Sequence, residues 1–394
     1  IGVRLVGSEM CIRDRFKNIM TLIISCDRYH IKNDQVMIPV MKKDSHLLGN
    51  MINDPWVLVT NDTTILQESR YDREENIEDI HRVNAAYNLE KDIYLTTPFD
   101  TMNGMTPQYC TRYDNNTVIV NSNIDPESKI IGPLGNFVES IVSELYNNVN
   151  NYSGKTYITP FLKRYSKIVD VENEQSLKEL YDNISCMNNK KLFIKNPYHK
   201  DINGIVDASN VLNNSYNPFY IYELLETNPA FEYWSYQTPR FLLVQEEMIM
   251  NYETRFFIVN GVIVSASGRI IDFVPTQESV KNPFHYAQQT VKHQSHSNDN
   301  QEIITNSHYD HMVEYVKDII TTIENNENKF PTCVIDIAWS PEKQSPVLVE
   351  INNISNSGLY GCSAHAIYNE LYDNNCYQGL TLKDCRNEIK NLVS

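Results

Sequence analysis

The sequence predicts an α/β (α+β) chain in two parts, and three observations carry that reading. Short apolar strand candidates alternate with helical segments up to about residue 150. Beyond that point, two apolar strands flank Asn260-Gly261, the strongest short hairpin signal a sequence can carry. Two more apolar strands, each with an embedded acid, lie on either side of the short stretch 339–346.

Taken in order, residues 20–25 (MTLIIS) form the first strand candidate, apolar and β-branched. Residues 56–60 and 117–120 follow, each bounded by Asn/Asp turn chemistry. Helical segments are expected over 76–88 and 134–149. The stretch 147–154 (NNVNNYSG) reads as a linker that is polar, aperiodic and without core residues. It divides an N-terminal α/β domain, 16–150, from a second domain, 151–394. Gly154-Lys155-Thr156 is not a phosphate loop, because Val149 stands where that motif needs a glycine. Strands follow at 192–195 and at 241–245, the latter running into Glu246-Glu247. The hairpin pairs 255–260 with 262–266, and the polar stretch 275–306 reads as a long exposed loop. Met312, Tyr315, Val316, Ile319 and Ile320 have helical spacing within 308–323, and strands over 332–338 and 347–351 complete the pattern.

Charge and composition exclude several functions. The 34 Lys+Arg against 50 Asp+Glu leave a net charge of −16, which argues against a broad nucleic-acid face and against docking on an anionic membrane. No run approaches the roughly 18 apolar residues of a membrane span. The eight cysteines are scattered with no C-x-x-C, so reduced thiols and a cytoplasmic protein are expected. With only 13 glycines, a fold built on a glycine-rich phosphate loop is disfavoured. The first residues, IGVRLVGSEMCIRDR, resemble translated sequencing-adapter sequence, so the expected natural start is Met20 or a lost upstream position.

The chemistry concentrates in the second part. Glu350 and Asn352 lie two apart in one strand and share a face, and Asp336 joins that face if the two strands pair. Two carboxylates and an amide oxygen, with no imidazole or thiol, are the hard donors that suit Mg²⁺. The alternative is a solvated strand face that carries acids by alternation. Lys195 closes an apolar strand and Lys200 follows in a turn, both able to neutralise phosphates. Glu246, Glu247 and Met248 follow a buried strand, as a hinge does that offers groups to an adenine edge, and Glu253 is spaced to reach ribose hydroxyls. Arg255 and Arg269 bracket the hairpin and could stabilise charge on a transferring phosphoryl group. Exposure is the default for His293/His296 and His308/His311, packing for the aromatic stretch 216–236, and either packing or a pocket wall for Tyr360 and His365.

This order of residues resembles the ATP-grasp superfamily over about 157–360. The matching pieces are FIKNPYHKDINGIV, FLLVQEEMIMNYETRFFIVNG and CVIDIAW with PVLVEINNISNSGLY, the last carrying an acidic strand followed by E-x-N. The resemblance implies two lobes with antiparallel sheets behind a small pre-ATP-grasp-like domain. It implies that Lys195 and Lys200 touch ATP phosphates, that Glu246, Glu247 and Met248 hold adenine and Glu253 ribose. Asp336, Glu350 and Asn352 would ligate Mg²⁺, with Arg255 and Arg269 at the reaction centre. The implied activity is ligation of a small-molecule or peptide carboxylate to an amine through an acylphosphate. A hydroxyl-directed kinase and a non-catalytic nucleotide-binding module are the alternatives. Two departures stand out: residues 199–204 (HKDING) replace the family's glycine-rich loop, and NISNSGLYG lacks the Pro-Gly of the ligases that join D-alanine.

Overall fold

In the computed structural model the described residues are chiefly 154–187, 190–197, 202–213, 240–268, 306–354, 357–360 and 362–374, with the backbone of short strands and a few single positions elsewhere. In the N-terminal half, Leu22–Ser25 lies between Ile93–Thr96 and Lys129–Ile131 in a mixed five-stranded sheet, parallel to both. Thr111–Asp114 and Thr117–Val120 extend that sheet antiparallel, and His30–Lys32, Gln35–Pro39 and Trp56–Leu58 form a separate antiparallel sheet. The three strand expectations in this half are met. The helices expected at 76–88 and 134–149 lie outside the described residues, apart from helical Arg82. So do residues 1–15. The chain returns here near its end, where Thr381 bridges Lys129 and Lys383 pairs with Glu127 at 2.9 Å.

Two antiparallel sheets build the second half. The first lobe has strands β1 (Ser166–Asp170), β2 (Lys191–Lys195), β3 (Ile202–Asp207) and β4 (Phe241–Glu246), in the order β3-β2-β4-β1, with Glu232–Tyr233 on the β3 edge. Helix α1 (Glu174–Ile184) starts at Asn173, whose side-chain oxygen accepts from the backbone N–H groups of Gln175 and Ser176. Its Leu177, Leu180 and Ile184 pack on Val169, Leu192, Ile194, Leu242 and Val244. Because strand side chains alternate, the opposite face presents Phe193 and Lys195 beside their partners Gln245 and Leu243.

The second lobe has strands β5 (Asn251–Val259), β6 (Val262–Gly268), β7 (Cys333–Ser340) and β8 (Ser345–Asn352), in the order β6-β5-β7-β8. Asn260 (φ 50°) and Gly261 (φ 76°) turn the predicted hairpin with both central residues in the left-handed region. A Cβ on Gly261 would meet Glu324 Oε1 at 2.8 Å and Phe330 Cδ1 at 2.9 Å, so glycine is required for space as well as for conformation. Helix α2 (Asn306–Glu327) buries Met312, Val316, Ile319, Ile320 and Ile323 against Phe256, Ile258, Ile335, Ile337, Leu348 and Ile351. Helix α3 (Ala364–Asn374) packs against β5 and β6. Among the described residues no helix is long and apolar enough to cross a membrane.

Two sequence expectations are corrected. Tyr152, within the stretch read as a linker without core residues, is 2% exposed and joins the core beneath α2. Its polar neighbours hide one aromatic ring that has an apolar seat among Ile158 and Leu162. The stretch read as a long exposed loop, 275–306, carries a short antiparallel pairing of Val291–Lys292 with Gln301–Glu302.

Ile319→Ala is expected to lower the unfolding free energy by about 2–5 kcal/mol, measured by urea denaturation, because Ile319 is fully buried where α2 meets the sheet.

Candidate functional site

Register brings the site residues into one row across the second lobe. Arg255 on β5 pairs with Asp336 on β7, and Asp336 pairs with Glu350 on β8. Directly opposed residues share a face, and here that face is the one turned away from α2, since Phe256, Ile335 and Ile337 point into the core. Strand β7 is covered on both faces, so Asp336 is 0% exposed. A carboxylate in that position needs a countercharge. Arg255 supplies it bidentately, with Nε donating to Oδ1 at 2.8 Å and Nη2 to Oδ2 at 2.7 Å.

The rest of the Arg255 guanidinium is also engaged. Nη1 donates to the carbonyl of Gly358 at 3.0 Å, and the group lies 3.9 Å from the centre of the Tyr360 ring. Burial acts to lower the Arg255 pKa, but the Asp336 carboxylate outweighs it and holds the guanidinium charged, with Tyr360 and Glu253 adding to the effect. Arg255 was expected from sequence as a clamp on the transferring group. Here it is spent on holding Asp336 and the 358–360 segment. Arg269 lies outside the described residues.

Glu350 lies at the mouth of the row and meets the first lobe. Lys195 Nζ donates to Glu350 Oε2 at 2.6 Å, the two side chains being 25% and 23% exposed. Asn352 Nδ2 donates to Glu350 Oε1 at 2.9 Å and to Asp336 Oδ2 at 3.3 Å, tying the two carboxylates together. Four residues singled out from sequence, Lys195, Asp336, Glu350 and Asn352, therefore converge, and three come from adjacent strand positions while the fourth crosses from the other lobe. Lys200 lies outside the described residues. Among the described residues there is no cluster of three His, Cys, Asp or Glu side chains able to hold a metal ion, so the candidate donor set is two carboxylates plus the Asn352 amide.

The hinge residues separate. Glu246 ends β4, where its carboxylate pairs with Lys190 and its N–H donates to the Tyr165 carbonyl at 3.0 Å. Glu247 is exposed, with its N–H donating to the Lys191 carbonyl at 2.8 Å, and Met248 is half-buried. Glu253 is buried on β5, close enough for its charge to act on Arg255.

Sequence reasoning missed Arg164. It lies at the joint of the lobes, with Nη1 donating to the Leu348 carbonyl at 3.3 Å and Nη2 to the Val349 carbonyl at 3.2 Å and to Gln245 Oε1 at 3.3 Å. Nη1 also lies 3.5 Å from Met250 Sδ. Burial pulls its pKa down to about 10, while Glu350 and Glu246 act in the opposite direction. Gln245, also missed, is buried and completes the joint by donating to Ser166 Oγ at 2.9 Å. No sequence signal marks either residue, since a Lys-Arg pair and a strand glutamine are commonplace. The His308 and His311 rings lie tilted against Trp339, with centroids 4.3 and 6.0 Å away, while His365 is exposed on α3.

No family model matches the chain, and no curated protein matches it. Several solved structures do. D-alanyl-alanine synthetase A from Vibrio cholerae is 10% identical, with 95% of this chain and 99% of that chain covered and a TM-score of 0.38. The D-cycloserine synthetase DcsG is 9% identical, with 75% and 93% covered and a TM-score of 0.44. A RimK domain protein described as ATP-grasp, from Sphaerobacter thermophilus, is 9% identical, with 88% and 97% covered and a TM-score of 0.34.

Removing one partner of the buried pair strands a charge. Arg255→Met is expected to cost about 3–5 kcal/mol of stability, and Arg255→Met combined with Asp336→Leu to recover most of that, measured by urea unfolding of the single and double variants.

Proposed function

We propose that this chain is an ATP-grasp enzyme, an ATP- and Mg²⁺-dependent ligase that joins a carboxylate to an amine, or to a peptide, through an acylphosphate. The observation that carries this reading is the meeting of Lys195 from one lobe with Glu350 from the other, beside Asp336 and Asn352. A phosphate-type cation and an oxygen donor set then face one another across the gap between two antiparallel sheets. The proposal takes 16–150 as the pre-ATP-grasp-like domain and 151–394 as the ATP-grasp domain.

The donors fit Mg²⁺ in kind: two carboxylates and an amide whose oxygen is presented by a half-turn of the Asn352 side chain, all hard oxygens. Asp336, Glu350 and Asn352 would hold the ion, which would supply charge neutralisation at the phosphates. Lys195 and Lys200 would bind the ATP phosphates, the 246–248 segment (Glu246, Glu247, Met248) the adenine, and Glu253 the ribose. A cytoplasmic setting, where ATP is supplied, goes with this reading.

In the reaction, an oxygen of the substrate carboxylate attacks the γ-phosphorus of ATP. The bond from that phosphorus to the β-bridging oxygen breaks and ADP leaves. The amine then attacks the acyl carbon, the carbon–oxygen bond to phosphate breaks, and the amine loses a proton. Lys195 neutralises charge on the phosphates, while Arg255 acts one step removed by holding Asp336 in place. Positioning and electrostatics provide the rate enhancement, as in phosphoryl transfer generally. Arg269 is proposed at the reaction centre from its place in the sequence alone.

The test is ADP release with pooled amino acids and short peptides in the presence of hydroxylamine. Hydroxamate is expected; phosphorylated product without hydroxamate would make the chain a kinase, and absence of ADP a non-catalytic module. Glu350→Ala is expected to reduce turnover by at least about 100-fold with an unchanged circular dichroism spectrum, and near wild-type turnover in that variant would remove Glu350 from the site.

A further inference from the structure

Among the described residues the charges around Glu350 are already balanced. The acids Glu253, Asp336 and Glu350 stand with the bases Arg164, Lys195 and Arg255, and the nearby Glu246 is paired with Lys190. A divalent ion arriving alone would therefore find the carboxylates neutralised, and Glu350 capped by an ammonium at 2.6 Å. Like charges this close repel strongly in a partly desolvated site.

The three bases differ in how firmly they are held. Arg255 is buried and fastened by Asp336, Gly358 and Tyr360. Arg164 is fastened by two β8 carbonyls and Gln245. Lys195 belongs to the other lobe, keeps a quarter of its side chain exposed, and carries a compact, rotatable ammonium on a flexible stem. It can leave when another anion offers itself, and a triphosphate supplies negative charge for the ammonium and for the metal together.

We propose that Lys195 is a built-in counter-ion that closes Glu350 to free divalent ions and releases it only to polyphosphate, so that the metal enters as its nucleotide complex. This inference rests on the proposed function, since it takes Glu350 as a metal ligand and Lys195 as a phosphate ligand. The pairing across the lobes would then serve as a lock against futile metal binding and as a sensor of nucleotide.

The experiment titrates Mn²⁺ alone, with no nucleotide, following loss of the free-ion paramagnetic resonance signal. Lys195→Met, and Lys195→Gln as a second variant that keeps a polar end, are expected to bind Mn²⁺ at least about tenfold more tightly than the wild type. The gain is expected to vanish in Lys195→Met/Glu350→Gln. Equal affinities for the wild type and both single variants would overturn the lock. The underlying reading is tested separately by calorimetry with Mg²⁺ and adenylyl imidodiphosphate. Binding by the wild type that weakens at least about tenfold in Glu350→Gln supports the reading, whatever the Mn²⁺ titration returns. Absence of wild-type binding would overturn the reading and the lock with it.

Discussion

A carboxylate at the centre of a doubly covered strand is the constraint around which the second lobe is arranged. Asp336 has no access to water, so its charge survives only because Arg255, directly across the ladder, meets both oxygens. An apolar pair of similar volume could pack there at no loss of stability. The pair does something an apolar pair could not: it ties β5 to β7 at one level of the ladder, accepts the Asn352 amide from β8, and holds the backbone at Gly358 and the ring of Tyr360. Glu350 and Asn352 inherit their positions from that register.

The joint between lobes follows from the same row. Arg164 holds the β8 backbone at Leu348 and Val349, just before Glu350, and reaches Gln245 and Met250 on either side of the hinge segment. Lys195 closes the opposite side of the gap on Glu350. Strand β8 is thus gripped by one partly buried guanidinium at the joint and by one quarter-exposed ammonium from the first lobe. The guanidinium is planar and bonded to three acceptors, while among the described residues the ammonium bonds Glu350 alone from a flexible stem, and this difference separates a fixed fastening from an exchangeable one.

Much of the local architecture was legible in the residues. Asn260-Gly261 specified its turn because two consecutive positive φ angles select those residue types. The period of Met312, Val316, Ile319 and Ile320 specified α2 and its buried face. Glu350 and Asn352 could be placed on one face by strand alternation, and Asp336 beside them on the condition that the two strands pair, as they do. Arg164, Gln245 and Tyr152 could not be found this way, because each takes its role from partners between 79 and 185 positions away, or from a core seat that its polar neighbours conceal. Arg255 was found but given a different task, since spacing cannot tell a cation that faces a substrate from one that faces a buried acid.

By itself the sequence determined where strands β2 and β4 to β8 and helix α2 form and where the hairpin turns, since these follow from side-chain period and backbone conformational preference over a few residues; strands β1 and β3 and helices α1 and α3 carried no such signal. Only the tertiary structure decided which charge neutralises which. Arg255 goes to Asp336, Lys195 to Glu350, and Arg164 to the backbone of β8. The physical reason is that the energy of a charge depends on its burial and on the distance to its counter-charge, and both are properties of the packed sheets.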